Sequence, residues 1–306
     1  MNDFKIMDTF EEGSSSKKSL IPNNVKIVLV VILALFVGIG VFIGSNALFG
    51  KKGDDKPITT TTLTTTDKTV VELYKMVCYG DRGIRNTKFV NEVNVDMSKF
   101  TNQEKFYYAM QFATAADFSN SGNLDASGKK IYTISNDKVK EYMNKFFGPK
   151  IEYSSDGTNT ITFDFSIDTS NVGTMNYDFN REAFATTFSG YNNDLVDNNI
   201  IKPYYTKLVA AVSRSDGIIE MKERIIYTEV VHNKDGYGNL IDNYSLSIYR
   251  DPNKTMLIET RNNLTLEALK QYPMSIDNYT NQSSVITYTF KKQASGYYFE
   301  SSKIES

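Results

Sequence analysis

Ile161-Thr162-Phe163-Asp164-Phe165-Ser166-Ile167 alternates apolar and polar residues at every step. A period of two puts Ile161, Phe163, Phe165 and Ile167 on one side of an extended chain, which predicts a half-buried β-strand. On the N-terminal side of Gly148-Pro149 the period is 3.6 instead. Val70, Leu73, Tyr74, Val77 and Cys78 form one helical stripe behind Thr69-Val70-Val71-Glu72, which reads as a capping box, and Gly80 ends the run. A second box, Thr101-Asn102-Gln103-Glu104, opens a helix carrying Phe106, Met110 and Ala113, with Tyr107 and Phe112 beside them. A third helix starts near Asp137 and presents Val139, Tyr142, Met143, Phe146 and Phe147 before Gly148-Pro149 stops it.

On the C-terminal side, turn signals recur between apolar runs. Asp156-Gly157 predicts a hairpin from Ile151/Tyr153 into the 161–167 strand. Asp216-Gly217 separates Leu208–Arg214 from Ile218–Val231, and Asp251-Pro252-Asn253-Lys254 separates Tyr244–Tyr249 from Thr255–Thr260. Ser295-Gly296 joins Val285–Lys291 to Tyr297–Ser301, and Leu266–Tyr272 reads as a short helix ended by Pro273. Successive hairpins require antiparallel pairing, and a sheet face can then cover the amphipathic helices. Residues 67–306 therefore belong to the α+β class. A helix-then-hairpins order at 137–191 recurs loosely at 265–303, which leaves room for two smaller α+β units joined near 190–204.

The N-terminal part has a different character. From Ile27 to Phe49 the chain reads IVLVVILALFVGIGVFIGSNALF, without a charged residue. About 20 apolar residues at about 1.5 Å rise cross a hydrocarbon core, so 27–49 is expected to be a transmembrane helix in contact with the lipid bilayer. Ser45-Asn46-Ala47 leaves a cleaved signal peptide as the competitor, although the apolar run exceeds the usual about 7–15 residues. The absence of Cys just after the run excludes a lipoprotein anchor. Lys17, Lys18 and Lys26 before the span balance Lys51, Lys52 and Lys56 after it, so basic residues do not orient it. The short polar tail 1–26 and the threonine tract that follows favour a cytoplasmic N-terminus. Residues 50–66 (GKKGDDKPITTTTLTTT) read as a Thr-rich linker, leaving 67–306 as the extracytoplasmic domain. Gly40 and Gly44 form a GxxxG pair through which two copies could associate, though glycine is common in membrane helices anyway.

Composition narrows the chemistry. The 306 residues hold 34 basic and 36 acidic side chains, a balance without the basic footprint of nucleic-acid binding. One Cys and one His exclude an internal disulfide and a Cys/His zinc cage. Cys78 and His232 are the one thiol–imidazole combination, but Cys78 lies on an apolar stripe and His232 in an expected polar turn, His232-Asn233-Lys234-Asp235-Gly236. The run from Asp117 to Asp125 has oxygen side chains at alternate positions, yet Gly128 stands where an EF-hand requires Glu. Asp164, Glu220 and Glu223 alternate with apolar neighbours and could line either a cleft or a solvated strand face. No glycine-rich phosphate loop follows a strand. The 20 Tyr and 19 Phe read as core and sheet, and without Trp a sugar-stacking platform has less support. Asn-x-Ser/Thr sites at Asn243, Asn253, Asn263, Asn278 and Asn281 match what an Asn-, Ser- and Thr-rich chain contains by chance.

No catalytic, cofactor-binding or metal-ligating residue is assigned from these patterns, and no cofactor is expected. The order of short tail, span, helices and antiparallel sheet resembles the NTF2-like scaffold subunits of conjugation and secretion machines. That resemblance covers about 230 residues in architecture alone, without a shared motif. It implies NTF2-like or cystatin-like α+β units in an envelope assembly. The expected function is a single-pass anchored, non-enzymatic binding or assembly domain at the cell envelope with protein partners there. The alternative is an envelope hydrolase or transferase using a carboxylate/tyrosine cleft.

Overall fold

The α1 helix (Lys68–Val77) begins where a carboxylate can satisfy its free N–H groups, and that carboxylate is Asp67. Its Oδ1 accepts from Thr69 at 2.9 Å and Val70 at 3.4 Å, so the cap lies two residues before the expected Thr69. The buried stripe is Val70, Leu73, Met76 and Val77, with Tyr74 and Cys78 half-buried. The structure, a computed structural model, describes residues 57–78, 87–152, 160–166, 172–178, 183–190 and 201–305. The 27–49 segment, with Gly40 and Gly44, lies outside them. Among the described residues no helix is long and apolar enough to cross a membrane.

A short helix α2 (Thr87–Asn91) buries Phe89 and Val90, and strand β2 (Asn94–Asp96) follows. Helix α3 (Asn102–Met110) opens on the expected box: Thr101 Oγ1 accepts from the Glu104 N–H at 3.2 Å, and Glu104 Oε2 accepts from the Thr101 N–H at 2.8 Å. Helix α4 (Asn136–Phe147) is capped by Ser135 and ends at Gly148, whose φ of +83° suits glycine.

A five-stranded antiparallel sheet runs in the order β3-β4-β7-β6-β5, from β3 (Ser119–Leu124), β4 (Lys130–Ile134), β5 (Thr160–Ser166), β6 (Val172–Asp178) and β7 (Ala183–Gly190). The decisive stretch at 161–166 is therefore a strand, but its described partner is β6, in register from Thr160↔Asp178 to Ser166↔Val172. The hairpin expected across Asp156-Gly157 falls on 153–159, outside the described residues, and Ile151 and Glu152 are not in a strand. Beneath this sheet Phe106, Ala109 and Met110 of α3 and Val139, Tyr142 and Met143 of α4 pack with Ile134, Met175, Tyr177 and Phe184.

The larger sheet runs β1-β8-β9-β12-β13-β2, with β10 and β11 joined on through β9. Its strands are β1 (Thr60–Leu63), β8 (Tyr204–Arg214), β9 (Ile218–Lys234), β10 (Leu240–Tyr249), β11 (Leu257–Leu264), β12 (Ser284–Gln293) and β13 (Gly296–Glu305). The hairpins expected at Asp216-Gly217, Asp251–Lys254 and Ser295-Gly296 are present. Four residues of the expected linker are ordered as β1, because the backbone of the Thr tract pairs with the open edge of β8. One face of this sheet covers the largest core, where Phe146 and Phe147 of α4 meet Phe89, Phe100, Tyr288 and Phe299. The other face is covered at one end by α5 (Leu266–Lys270) and a 3-10 turn (Ile276–Tyr279), which bury Leu269, Ile276 and Tyr279 against Ile226, Leu246 and Ile248. Because α4 feeds two cores, both sheets belong to one compact unit, Ile58–Ser306. Residues 191–200, within the expected join, lie outside the described ones.

Candidate functional site

Alternation along β9 turns Met221, Glu223 and Ile225 toward the large core, so a carboxylate is carried inward between two apolar neighbours. Glu223 is 1% exposed. Two phenols meet it there. The Tyr288 hydroxyl, from β12, donates to Oε2 at 2.7 Å, and the Tyr74 hydroxyl, from α1, donates to Oε1. Burial pushes the Tyr74 phenol well up, and the charges of Glu223 and Cys78 add to the shift. Burial does the same to Tyr288, again reinforced by Glu223. Both phenols therefore remain protonated and donating. Beside them Tyr227 donates to the Val90 carbonyl at 2.5 Å, tying β9 to α2.

Chemically, this arrangement is a tie. Each carboxyl oxygen of Glu223 is taken by a phenol. An intramolecular hydrogen bond contributes only about 0.5–1.5 kcal/mol, whereas stranding its buried partner costs about 1–3 kcal/mol. The cluster fastens α1 to β9 and β12 through one side chain. Sequence reasoning singled out Glu223 but not its partners. The available signal was a tyrosine on the apolar stripe of α1 and another in an alternating strand, which resembles ordinary core.

The other singled-out residues are dispersed. Cys78 stands near Tyr74, whose phenol it influences. His232 is not in a turn: it lies within β9, half-buried and stacked on Tyr244 across the strand pair at 4.5 Å. About 30 Å of strand separates it from Glu223, on the opposite face, so the structure does not bring it to the cysteine. Glu220 accepts from Arg214 at 3.0 Å. Asp164 lies on β5 opposite Thr174. In the run from Asp117 to Asp125 the carboxylates serve the backbone. Asp117 accepts from the Thr114 N–H at 2.7 Å and the Tyr142 hydroxyl at 2.8 Å. Asp125 accepts from the Ser127 N–H at 2.9 Å and the Lys129 N–H at 2.8 Å. Among the described residues no group of three or more His, Cys, Asp or Glu side chains could hold a metal ion.

No family model, curated protein or solved structure matches the chain.

Proposed function

We propose that the chain is a single-pass membrane protein, N-terminus cytoplasmic, that presents its α+β domain outside the cell for binding or assembly at the envelope. The observation that carries this reading is the uncharged run Ile27–Phe49, which has the length and composition of a spanning helix. In this reading 1–26 is the cytoplasmic tail, 50–66 leads out of the membrane, and 67–306 makes the contacts as an α+β domain of NTF2-like or cystatin-like character. Gly40 and Gly44 offer a face for a homodimer. A non-enzymatic role is supported by the internal satisfaction of Glu223, whose oxygens both face tyrosine donors.

Protease treatment of intact cells tests the topology: digestion of the domain supports the reading, and protection of the domain overturns it. Pull-down from detergent-solubilised membranes tests assembly, with stable envelope partners as the expected result. A second reading, a hydrolase or transferase, draws on the convergence of Glu223, Tyr74 and Tyr288. It requires substrate access to that cluster. Turnover of an envelope substrate that is lost in Glu223→Gln, while the fold is retained, would establish it.

A further inference from the structure

Strand β11 (Leu257–Leu264) pairs with β10 alone, and among the described residues no strand lies beyond it. No residue of β11 is buried. Its outer edge therefore presents unpaired backbone N–H and C=O groups, a template for another strand. The edges at β1 and β2 are shorter, four and three residues, and β3 bends at Gly122, φ +78°. The pairing of β11 with β10 shifts register between Tyr244 and Leu246 and again between Ile248 and Tyr249. Between those shifts the regular run is Glu259, Thr260 and Arg261, opposite Ile248, Ser247 and Leu246.

This run carries one charge of each sign. Glu259 and Arg261, two apart on one face, form an ion pair with each other, and the Tyr279 hydroxyl donates to Glu259 at 3.0 Å. Thr260 points to the other face, where its hydroxyl lies 3.2 Å from that of Ser247. Edge strands are commonly blunted by lysine, which repels a copy of itself. A Glu/Arg pair repels its copy in some registers and attracts it in another. Two identical strands paired antiparallel about a two-fold axis set one residue opposite itself. Centred on Glu259, the pairing opposes two carboxylates; centred on Arg261, it opposes two guanidinium groups. Centred on Thr260, it sets Glu259 against the second copy's Arg261 and Arg261 against the second copy's Glu259. The two threonines then face each other, and both kinds of cross-strand neighbour are favourable.

We propose that the free edge of β11 pairs antiparallel with β11 of a second copy, about a two-fold axis at Thr260. Backbone hydrogen bonds supply the attraction. Glu259 and Arg261 supply the register, since moving the axis by one residue sets like charges opposite each other. The occupant is a second copy because the order of charges complements its own reverse: Glu-Thr-Arg met antiparallel is Arg-Thr-Glu. The contact lies in the folded domain, goes beyond the membrane reading and stands without it. Loss of the Gly40/Gly44 face would leave it intact.

The test uses the full chain in non-ionic detergent, carrying Thr260→Cys. Residues directly opposite each other in antiparallel strands lie about 4.5–5.5 Å apart at Cα, within the span of a disulfide. Mild oxidation is therefore expected to give a cross-linked dimer. Wild type, whose one cysteine is Cys78, should not cross-link, nor should Asn253→Cys, exposed in the β10–β11 turn. Adding Gly40→Leu and Gly44→Leu to Thr260→Cys should leave the cross-link unchanged. Adding Glu259→Arg or Arg261→Glu instead should slow it by on the order of tenfold, because each sets like charges across the axis. A mixture of those two variants should recover it, since a copy with two arginines then meets a copy with two glutamates. Cross-linking of Asn253→Cys as fast as Thr260→Cys, or no recovery in a mixture of folded variants, overturns the proposal. Loss of the cross-link with the glycine changes assigns the dimer to the membrane face and overturns it too. If a charge variant does not fold, the comparison of Thr260→Cys with Asn253→Cys still carries the test.

Discussion

Beneath the five-stranded sheet, α3 and α4 supply Phe106, Met110, Val139 and Met143, and none of the buried residues packed there carries a charge. Beneath the larger sheet, α1 supplies a phenol to a buried carboxylate in the midst of a phenylalanine cluster. The same hairpin construction therefore encloses two kinds of interior. The smaller loses contacts chiefly as volume; among the described residues its side-chain tie is the Tyr142 hydroxyl to the half-buried Asp117 at its edge. The larger can also lose a partner, and an abandoned polar group costs more than the average hydrogen bond contributes.

The strongest way to break this contrast is Glu223→Ala. It strands the buried Tyr288 phenol and the half-buried Tyr74 phenol and leaves a cavity, with an expected loss of about 4 kcal/mol in urea denaturation. The triple change Glu223→Leu with Tyr74→Phe and Tyr288→Phe should recover most of that loss, because removing all partners together leaves nothing unsatisfied. If the triple variant is as unstable as Glu223→Ala, the tie is not what holds α1. On the small-sheet side, Phe106→Ala removes a fully buried ring and should cost about 4 kcal/mol, with no polar rescue to be found.

Smaller effects sharpen the boundary between the two interiors. Gly148, at the end of α4, has φ +83° and ψ 172°, and a Cβ there would stand 2.9 Å from the Tyr298 ring. Gly148→Ala is expected to cost about 2–3 kcal/mol and to loosen the helix that serves both cores, visible as faster amide exchange through α4. Thr101→Ala removes the cap of α3 and should cost about 1 kcal/mol by the same denaturation measurement.

The smallest expected effect is an acid limb. Burial pushes the Asp251 carboxyl up, but hydrogen bonds from the Met256 N–H and the Thr255 hydroxyl and N–H outweigh it and hold the group below its usual range. A carboxylate depressed in the folded state stabilises it above the unfolded value of about 4. That contribution is lost as pH falls through the lower folded value. Denaturation midpoints measured from neutral pH downward should show a shallower acid decline in Asp251→Asn.

The sequence showed the elements whose chemistry is local. The Thr101–Glu104 box, the Gly148 end of α4 and three of the hairpin turns depend on residues within a few positions of each other. What it hid depends on partners far along the chain. β3 exposes every residue, so it has no alternation to read, and its pairing with β4 depends on the backbone. β5 pairs with β6, a partner alternation cannot name, since a strand's face is written in its own residues and its neighbour is not. The carboxylate–phenol tie joins positions 74, 223 and 288, and no spacing links them.

Strand β1 has a consequence for the order of events during synthesis. Thr60 to Leu63 pair with Arg214 back to Ala211, so their partner does not exist until the ribosome has made the whole small sheet and most of β8. Closing so long a loop is slow compared with zipping a local hairpin. The segment made early is thus among the last to find its place, and it must wait in water without sticking to its neighbours. A run of threonines suits that wait: its side chains carry hydroxyls, expose little hydrocarbon, and still favour the extended backbone once the edge of β8 arrives.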